Sequence, residues 1–198
     1  MSLIAFSGFN DHWKLQGQHS FLSASKCNWL EYDEEKLLLS YKNSQLAELG
    51  TKLHNLAKEL IELHVKLPNN GKTLSRYVND AIGFGMKPEV VLFYSEVAFG
   101  TADTICFRQE MREGGPKWVL RIHDLKTGKS KPDPRQLMVY AAYFCLEYNA
   151  NPRDIEMHLR IYYDNDVIFI EPSAEDILNI CDLIREDTKI LKEKGETV

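Results

Sequence analysis

Between Gln45 and Lys66, leucines recur at positions 46, 49, 53, 56, 60 and 63, in alternating steps of three and four that place them on one stripe of an α-helix. Pro68, Asn69, Asn70 and Gly71 end that helix. Upstream, Ser23 or Ser25 can cap a short helical stretch running to Leu30, and the acidic patch Glu31–Glu35 follows it. Downstream, a short helix around Leu74–Ile82 gives way to the breakers Gly83, Gly85 and Pro88. The pattern then changes period: Val90–Tyr94 and Thr101–Gln109 read as strands. Glu113-Gly-Gly-Pro116 makes a turn, and Trp118–Lys126 alternates with large apolar residues at 118, 120 and 122. These three strands form an antiparallel meander. After Pro132 and Pro134, the breaker-free run Arg135–Tyr148 predicts a buried helix. Met157–Tyr163 and Val167–Ile170, joined by Asp164-Asn165-Asp166, read as a strand pair. Ser173-Ala-Glu-Asp176 opens a last helix as a capping box, with Ile177, Ile180, Cys181, Ile184 and Leu191 on its apolar face. The order predicts one α/β domain over residues 1–198, with a central mixed sheet flanked by helices.

Composition narrows the class. The chain has 198 residues, 44% hydrophobic and 27% charged, with a net charge of −5, which excludes disorder and fibrous architectures. The longest apolar run, Leu137–Leu146, is far short of the ~20 residues that span a bilayer, so no membrane association is expected. Met1–His12 lacks the pattern of a secretory leader, and a cytoplasmic location is expected. Cys27, Cys106, Cys145 and Cys181 form no C-x-x-C pair and read as reduced, small core residues. A net negative chain argues against a non-specific nucleic-acid coat. The segment from Arg112 to Arg135 nevertheless holds seven basic residues against three acidic ones, which marks it as the place for a polyanion.

The candidate chemistry begins on the third strand. Asp124 and Lys126 share a face with Trp118, Leu120 and Ile122, so a carboxylate and an ammonium leave a core face together at the strand end. Read alone, such a pair is a salt bridge at a strand end. Asp103 opens the preceding strand on the face of Ile105 and Phe107, and if the two strands are neighbours Asp103 and Asp124 converge. Two clustered carboxylates repel unless a cation lies between them, and hard oxygen donors favour Mg²⁺ or Mn²⁺. His54 lies between Gly50 and Ala57 on a small-residue strip flanking the leucine stripe, where another element can approach closely. A histidine there is either a hydrogen-bonded core residue or a metal ligand. On the next helix, Gln136 and Tyr140 are four residues apart, following Lys129, Lys131 and Arg135. Their amide and hydroxyl suit phosphate or sugar oxygens, or else form a polar helix edge.

Taken in order, Gly50-Thr-x-x-His54, Gly100-Thr-Ala-Asp103, Asp124-Leu-Lys126 and Gln136-x-x-x-Tyr140 resemble the PD-(D/E)XK nuclease superfamily, in the branch that includes the RecB-type nuclease domain and phage exonucleases. The resemblance spans residues 20–150. It implies a restriction-endonuclease-like core, with metal ligation by His54, Asp103, Asp124 and the Leu125 main-chain carbonyl. It also implies that Lys126 acts on the attacking water or the developing charge, with DNA held by Gln136, Tyr140, Lys129, Lys131 and Arg135. The implied activity is Mg²⁺- or Mn²⁺-dependent hydrolysis of DNA phosphodiesters by an exonuclease of phage or recombination type. A recombination or annealing protein as partner, and an oligomeric assembly, are compatible with it. Here the P-D dipeptide is Ala-Asp and the second acid is Asp. Some relatives hold an iron–sulfur cluster on one upstream cysteine and three clustered near the C-terminus; Cys181 stands alone, so no cluster is expected. Glu96 is either a further ligand or a strand-edge carboxylate. The alternative reading is a catalytically silent nuclease fold that binds nucleic acid or protein, and a third is a purely structural domain.

Overall fold

A computed structural model describes residues 20–128 and 132–194. The chain divides into two compact units, Met1–Glu48 and Leu49–Val198. In the first, a 3-10 helix spans Ala24–Glu31, and helix α1 (Glu34–Glu62) begins. The acidic patch is the start of this helix: Asp33 Oδ1 accepts from Lys36 N at 2.8 Å, and Glu34 and Glu35 fill the first turn, where the helix dipole favours carboxylates. The helix therefore starts well before Gln45, because capping and charge, rather than apolar periodicity, set its first turns.

The second unit carries the rest of α1, then α2 (Thr73–Gly83), β1 (Lys87–Ser95), β2 (Ala98–Arg112), β3 (Gly115–Leu125), α3 (Arg135–Glu147), β4 (Ile155–Tyr163), β5 (Asp166–Ile170) and α4 (Ala174–Lys194). The five strands form one mixed sheet in the order β1-β2-β3-β4-β5. The β1-β2-β3 meander is antiparallel, β3 and β4 are parallel, and β4 and β5 antiparallel. Helix α3 makes the crossover that a parallel pair requires. The α/β class and the helix-flanked mixed sheet follow the sequence expectation. Among the described residues no helix is long and apolar enough to cross a membrane.

Alternation along the strands builds two cores. Leu120 and Ile122 of β3 pack with Leu137, Ala141 and Phe144 of α3 and Ile177 of α4. Leu125, of opposite parity, joins Tyr162 of β4, Tyr77 and Val78 of α2, and Ala57 and Ile61 of α1. The opposite-parity face also carries charge. Buried Arg121 pairs with Glu110 across β2–β3 (Nη2–Oε2 2.9 Å) and stacks over Phe84. Burial and the neighbouring Arg160 and Arg121 hold His123 well below the usual imidazole range.

On α1, Gly50, Ala57 and Ile61 are buried, while Leu46, Leu49, Leu56 and Leu63 of the leucine stripe stay exposed. The small-residue strip predicted to admit another element is the contact face, and Leu53, His54 and Leu60 are half-buried beside it. Of the four cysteines, Cys145 and Cys181 are buried as expected, but Cys27 is exposed and Cys106 half-buried.

A Cβ added to Gly50 would lie 2.8 Å from Thr127 Oγ1, so the loop after β3 occupies the space a side chain would need. Gly50→Ala is therefore expected to lower the melting temperature in the wild-type background, whereas on a Thr127→Ala background the same change should stabilise by up to ~1 kcal/mol through helix propensity. A double-mutant cycle by thermal denaturation reads the coupling. Additive effects would mean the loop does not rest on Gly50.

Candidate metal and phosphodiester site

The site is made where β2 and β3 part. Their antiparallel ladder runs from Arg112↔Gly115 to Thr104↔His123. Beyond it β3 continues on β4, through Asp124↔Ile161, Leu125↔Tyr162 and the hydrogen bond from Lys126 N to Tyr162 O at 2.9 Å. Leu125 N instead donates to the side chain of Asp103, Oδ2 accepting at 2.9 Å. A carboxylate thus takes the place of a strand carbonyl where the two strands part.

Four elements bring ligand atoms to it. His54 of α1 lies with Nδ1 3.5 Å from Asp103 Oδ2. Glu89 of β1 falls across from Asp103 in the register, between the pairs Pro88↔Thr104 and Val90↔Ala102. Donor atoms of His54, Glu89 and Asp103 all lie within 4.8 Å of one another. Glu89 holds φ at 51°, a left-handed conformation uncommon for a side chain of this size and of the kind that gathers at functional sites. Asp124 is 3% exposed. Lys126 Nζ hydrogen-bonds Asp124 Oδ1 at 3.1 Å; Nζ also lies 3.0 Å from Oδ2, but that buried oxygen has no hydrogen-bond partner. A buried acceptor without a donor, beside a cluster of carboxylates and an imidazole, is the environment a divalent cation completes. The donors within mutual reach, the carboxylates of Glu89 and Asp103 and the imidazole of His54, fit Mg²⁺ or Mn²⁺, and the Asp124 carboxylate acts on Asp103 from beside them.

Burial first, and then the charge of Asp124, push Asp103 up to about 6, against the lowering effects of the Leu125 amide and His54. The same surroundings act on Tyr77 of α2, whose hydroxyl is hydrogen-bonded to Thr104: burial and the Asp103 charge raise it well above the usual phenol range.

The predicted residues meet only in part. Asp103, Asp124, Lys126 and His54 come together, and Leu125 contributes its main-chain N–H. Gln136 and Tyr140 hold Lys126 in place: Lys126 Nζ donates to Gln136 Oε1 at 2.8 Å, and Gln136 Nε2 donates to Tyr140 Oη at 3.3 Å. Gly100 makes room for this helix, since a Cβ there would lie 2.8 Å from Tyr140 Cε1. Lys129 and Lys131 fall outside the described residues. Arg135 is exposed, and Asp133 neutralises it (Nη2–Oδ2 2.6 Å). Among the described residues of the basic segment, Arg112 pairs with Glu110 and Glu156, Arg121 with Glu110, and Lys126 with Asp124. Glu96 sits in the β1–β2 turn, and the additional carboxylate at the site is Glu89. Its only sequence signal is a carboxylate after Pro88, just ahead of the apolar run that begins at Val90. Beside Lys126 a cleft of about 620 Å³ opens, lined by Leu53, Lys72, Leu74, Lys126, Thr127 and Tyr163 among others.

Comparison of the chain with models of protein families, with curated proteins and with solved structures gives no match.

An ionised, buried carboxylate destabilises the metal-free fold. Because the Asp103 pKa is raised on folding, its charge costs nothing below the ordinary value of 3.8, the cost grows as pH rises from there, and it is complete above about 6. Asp103→Asn keeps an acceptor for Leu125 N and removes the charge. In chelator, the substitution should raise the melting temperature at pH 8 by several degrees, the gain should be smaller at pH 5, and it should vanish only below about pH 4, where the carboxyl is protonated in the unfolded chain as well. A gain independent of pH would show that Asp103 is not a charged group in the native site.

Proposed function

We propose that this chain is a metal-dependent deoxyribonuclease of PD-(D/E)XK type, an exonuclease of the phage or recombination kind. The observation that carries the reading is the convergence, at the divergence of β2 and β3, of His54, Glu89, Asp103 and Asp124 with Lys126, from four elements far apart in sequence. A structural ion pair has no need of three carboxylates and a histidine at one sheet end. A bound divalent cation would supply charge neutralisation at a non-bridging phosphate oxygen and acidity for the attacking water.

The chain's own groups do the rest. His54, Glu89, Asp103 and Asp124 hold the cation. Lys126, fixed by Asp124 on one side and Gln136 on the other, presents its ammonium to the attacking water or to charge building on the phosphorus oxygens. Gln136 and Tyr140 are thus positioning residues in this reading, because their hydrogen bonds run to Lys126 and to each other. Lys72 and Lys126 on the cleft bring two cations to the backbone of a nucleic-acid strand, and Leu53, Leu74 and Tyr163 offer surface for its bases.

Isothermal titration should show Mn²⁺ binding to the wild type, lost in Asp124→Asn, and end-labelled linear DNA should be degraded in Mg²⁺ but not in chelator. Asp124→Asn is expected to cut the rate by at least ~100-fold with the fold intact. Absence of both metal binding and cleavage would refute the reading; metal binding without cleavage would favour the silent nucleic-acid-binding fold.

Gln136→Leu separates positioning from substrate binding. Acting through Lys126, it should lower kcat by roughly tenfold with KM little changed, whereas a substrate contact would raise KM.

A further inference from the structure

The cleft beside Lys126 is walled by Leu53 of α1, by residues 72–74 where α2 begins, by residues 125–128 at the end of β3, and by residues 163–165 where β4 turns into β5. Two of these walls are latched together. Asp164 and Asn165 both hold a left-handed backbone, with φ of 47° and 60°, which makes the two-residue turn between the strands a tight one. From that turn Asn165 Oδ1 accepts from Thr73 N at 3.1 Å, Asn165 N donates to Thr73 Oγ1 at 2.7 Å, and Arg76 Nη1 donates to Asn165 O at 3.0 Å. Lys72, at the N-cap of α2, makes no side-chain cap, so Asn165 supplies it from a distant part of the chain. The latch fixes Lys72, Leu74 and Tyr163 beside one another on the cleft.

The lining decides what such a cleft holds. Its volume of about 620 Å³ lies in the range of sites that enclose a small ligand, and is far below what a double helix needs. Leu53, Leu74 and Tyr163, all half-buried, give it apolar and aromatic surface, which rewards bases whose faces are free; in a duplex those faces are stacked on one another. Among the described residues its cations are Lys72 and Lys126, the second already tied to Asp124 and Gln136, and Asp164 lies on the same rim. Duplex binding rests on many phosphate contacts, which this lining does not provide. We propose that the cleft takes a single unpaired DNA strand, with bases against Leu53, Leu74 and Tyr163 and backbone towards Lys72 and Lys126, and that Asn165 is the positioning residue that sets its width. This deepens the nuclease reading and rests on it: a duplex is attacked only where its end is unpaired.

Labelled oligonucleotides of equal length, one single-stranded and one a blunt duplex, are titrated with the full chain in Ca²⁺ and read by fluorescence anisotropy. The single strand should bind at least ~10-fold more tightly. Tyr163→Ala should weaken single-strand binding by about tenfold, and an abasic strand should lose a similar factor on the wild type, a comparison that needs no variant to fold. Asn165→Gly keeps the left-handed turn and its backbone contacts but removes the acceptor for Thr73 N. It should lower the ratio of single-strand to duplex affinity by about threefold. Equal affinity for the two forms, an abasic strand bound as well as a normal one, or single-strand binding untouched by Tyr163→Ala would overturn the proposal. A ratio unmoved by Asn165→Gly would refute the latch. Cleavage in Mg²⁺ separates the two readings: single-strand preference without cleavage would sink the nuclease and leave the cleft assignment standing, whereas cleavage of both forms with equal kcat/KM would do the reverse.

Discussion

The hydrogen bond from the Leu125 amide to the Asp103 carboxylate is the contact on which the rest of the site depends. Strand β3 is held on one side by β4 as far as Lys126, while β2 has already turned away after Thr104. A backbone N–H left without a partner at this depth would cost about 1–3 kcal/mol. The side chain of Asp103 satisfies it and is thereby fixed in the gap. Asp124, on β3, and Lys126, one residue past its end, emerge from the same gap with a parallel strand pair behind them. Orientation of the three groups is therefore a property of the sheet and needs no ordered loop.

Placing carboxylates in a gap of this kind runs against folding. Asp103 is raised to about 6 by burial and by Asp124, Asp124 keeps a buried oxygen that makes no hydrogen bond, and Glu89 adopts a left-handed backbone. These are three local departures from what a stable sheet end would choose. They coincide at one place, which is the usual mark of a site kept for chemistry rather than stability. A cation there would offset the repulsion, coupling metal binding to stability.

Close packing on either side of the gap relies on absent side chains. Gly50 lets the loop at Thr127 touch α1 and so brings His54 to Asp103; Gly100 lets Tyr140 lie against β2 and so keeps Gln136 at Lys126. The two glycines precede the functional residues in their motifs by three or four positions, and in both cases they act through space on another element.

The strand alternation, the capping box of the last helix and the polar residues on core faces were legible in the sequence, because they depend on local periodicity and on residues that are polar where burial demands apolar ones. Asp103, Asp124 and Lys126 were found that way. Three things needed the fold. Which stripe of α1 turns inward depends on what can approach it, and the small strip of Gly50 and Ala57 admits a loop more closely than a row of leucines does. Glu89 joined the site only through the β1–β2 register. Within the basic segment from Arg112 to Arg135, the charges of Arg112 and Arg121 are met by Glu110 and Glu156, from neighbouring strands. Charge along a chain is a one-dimensional count, whereas the field a ligand meets is set by which strands are neighbours, and that is fixed only by tertiary structure.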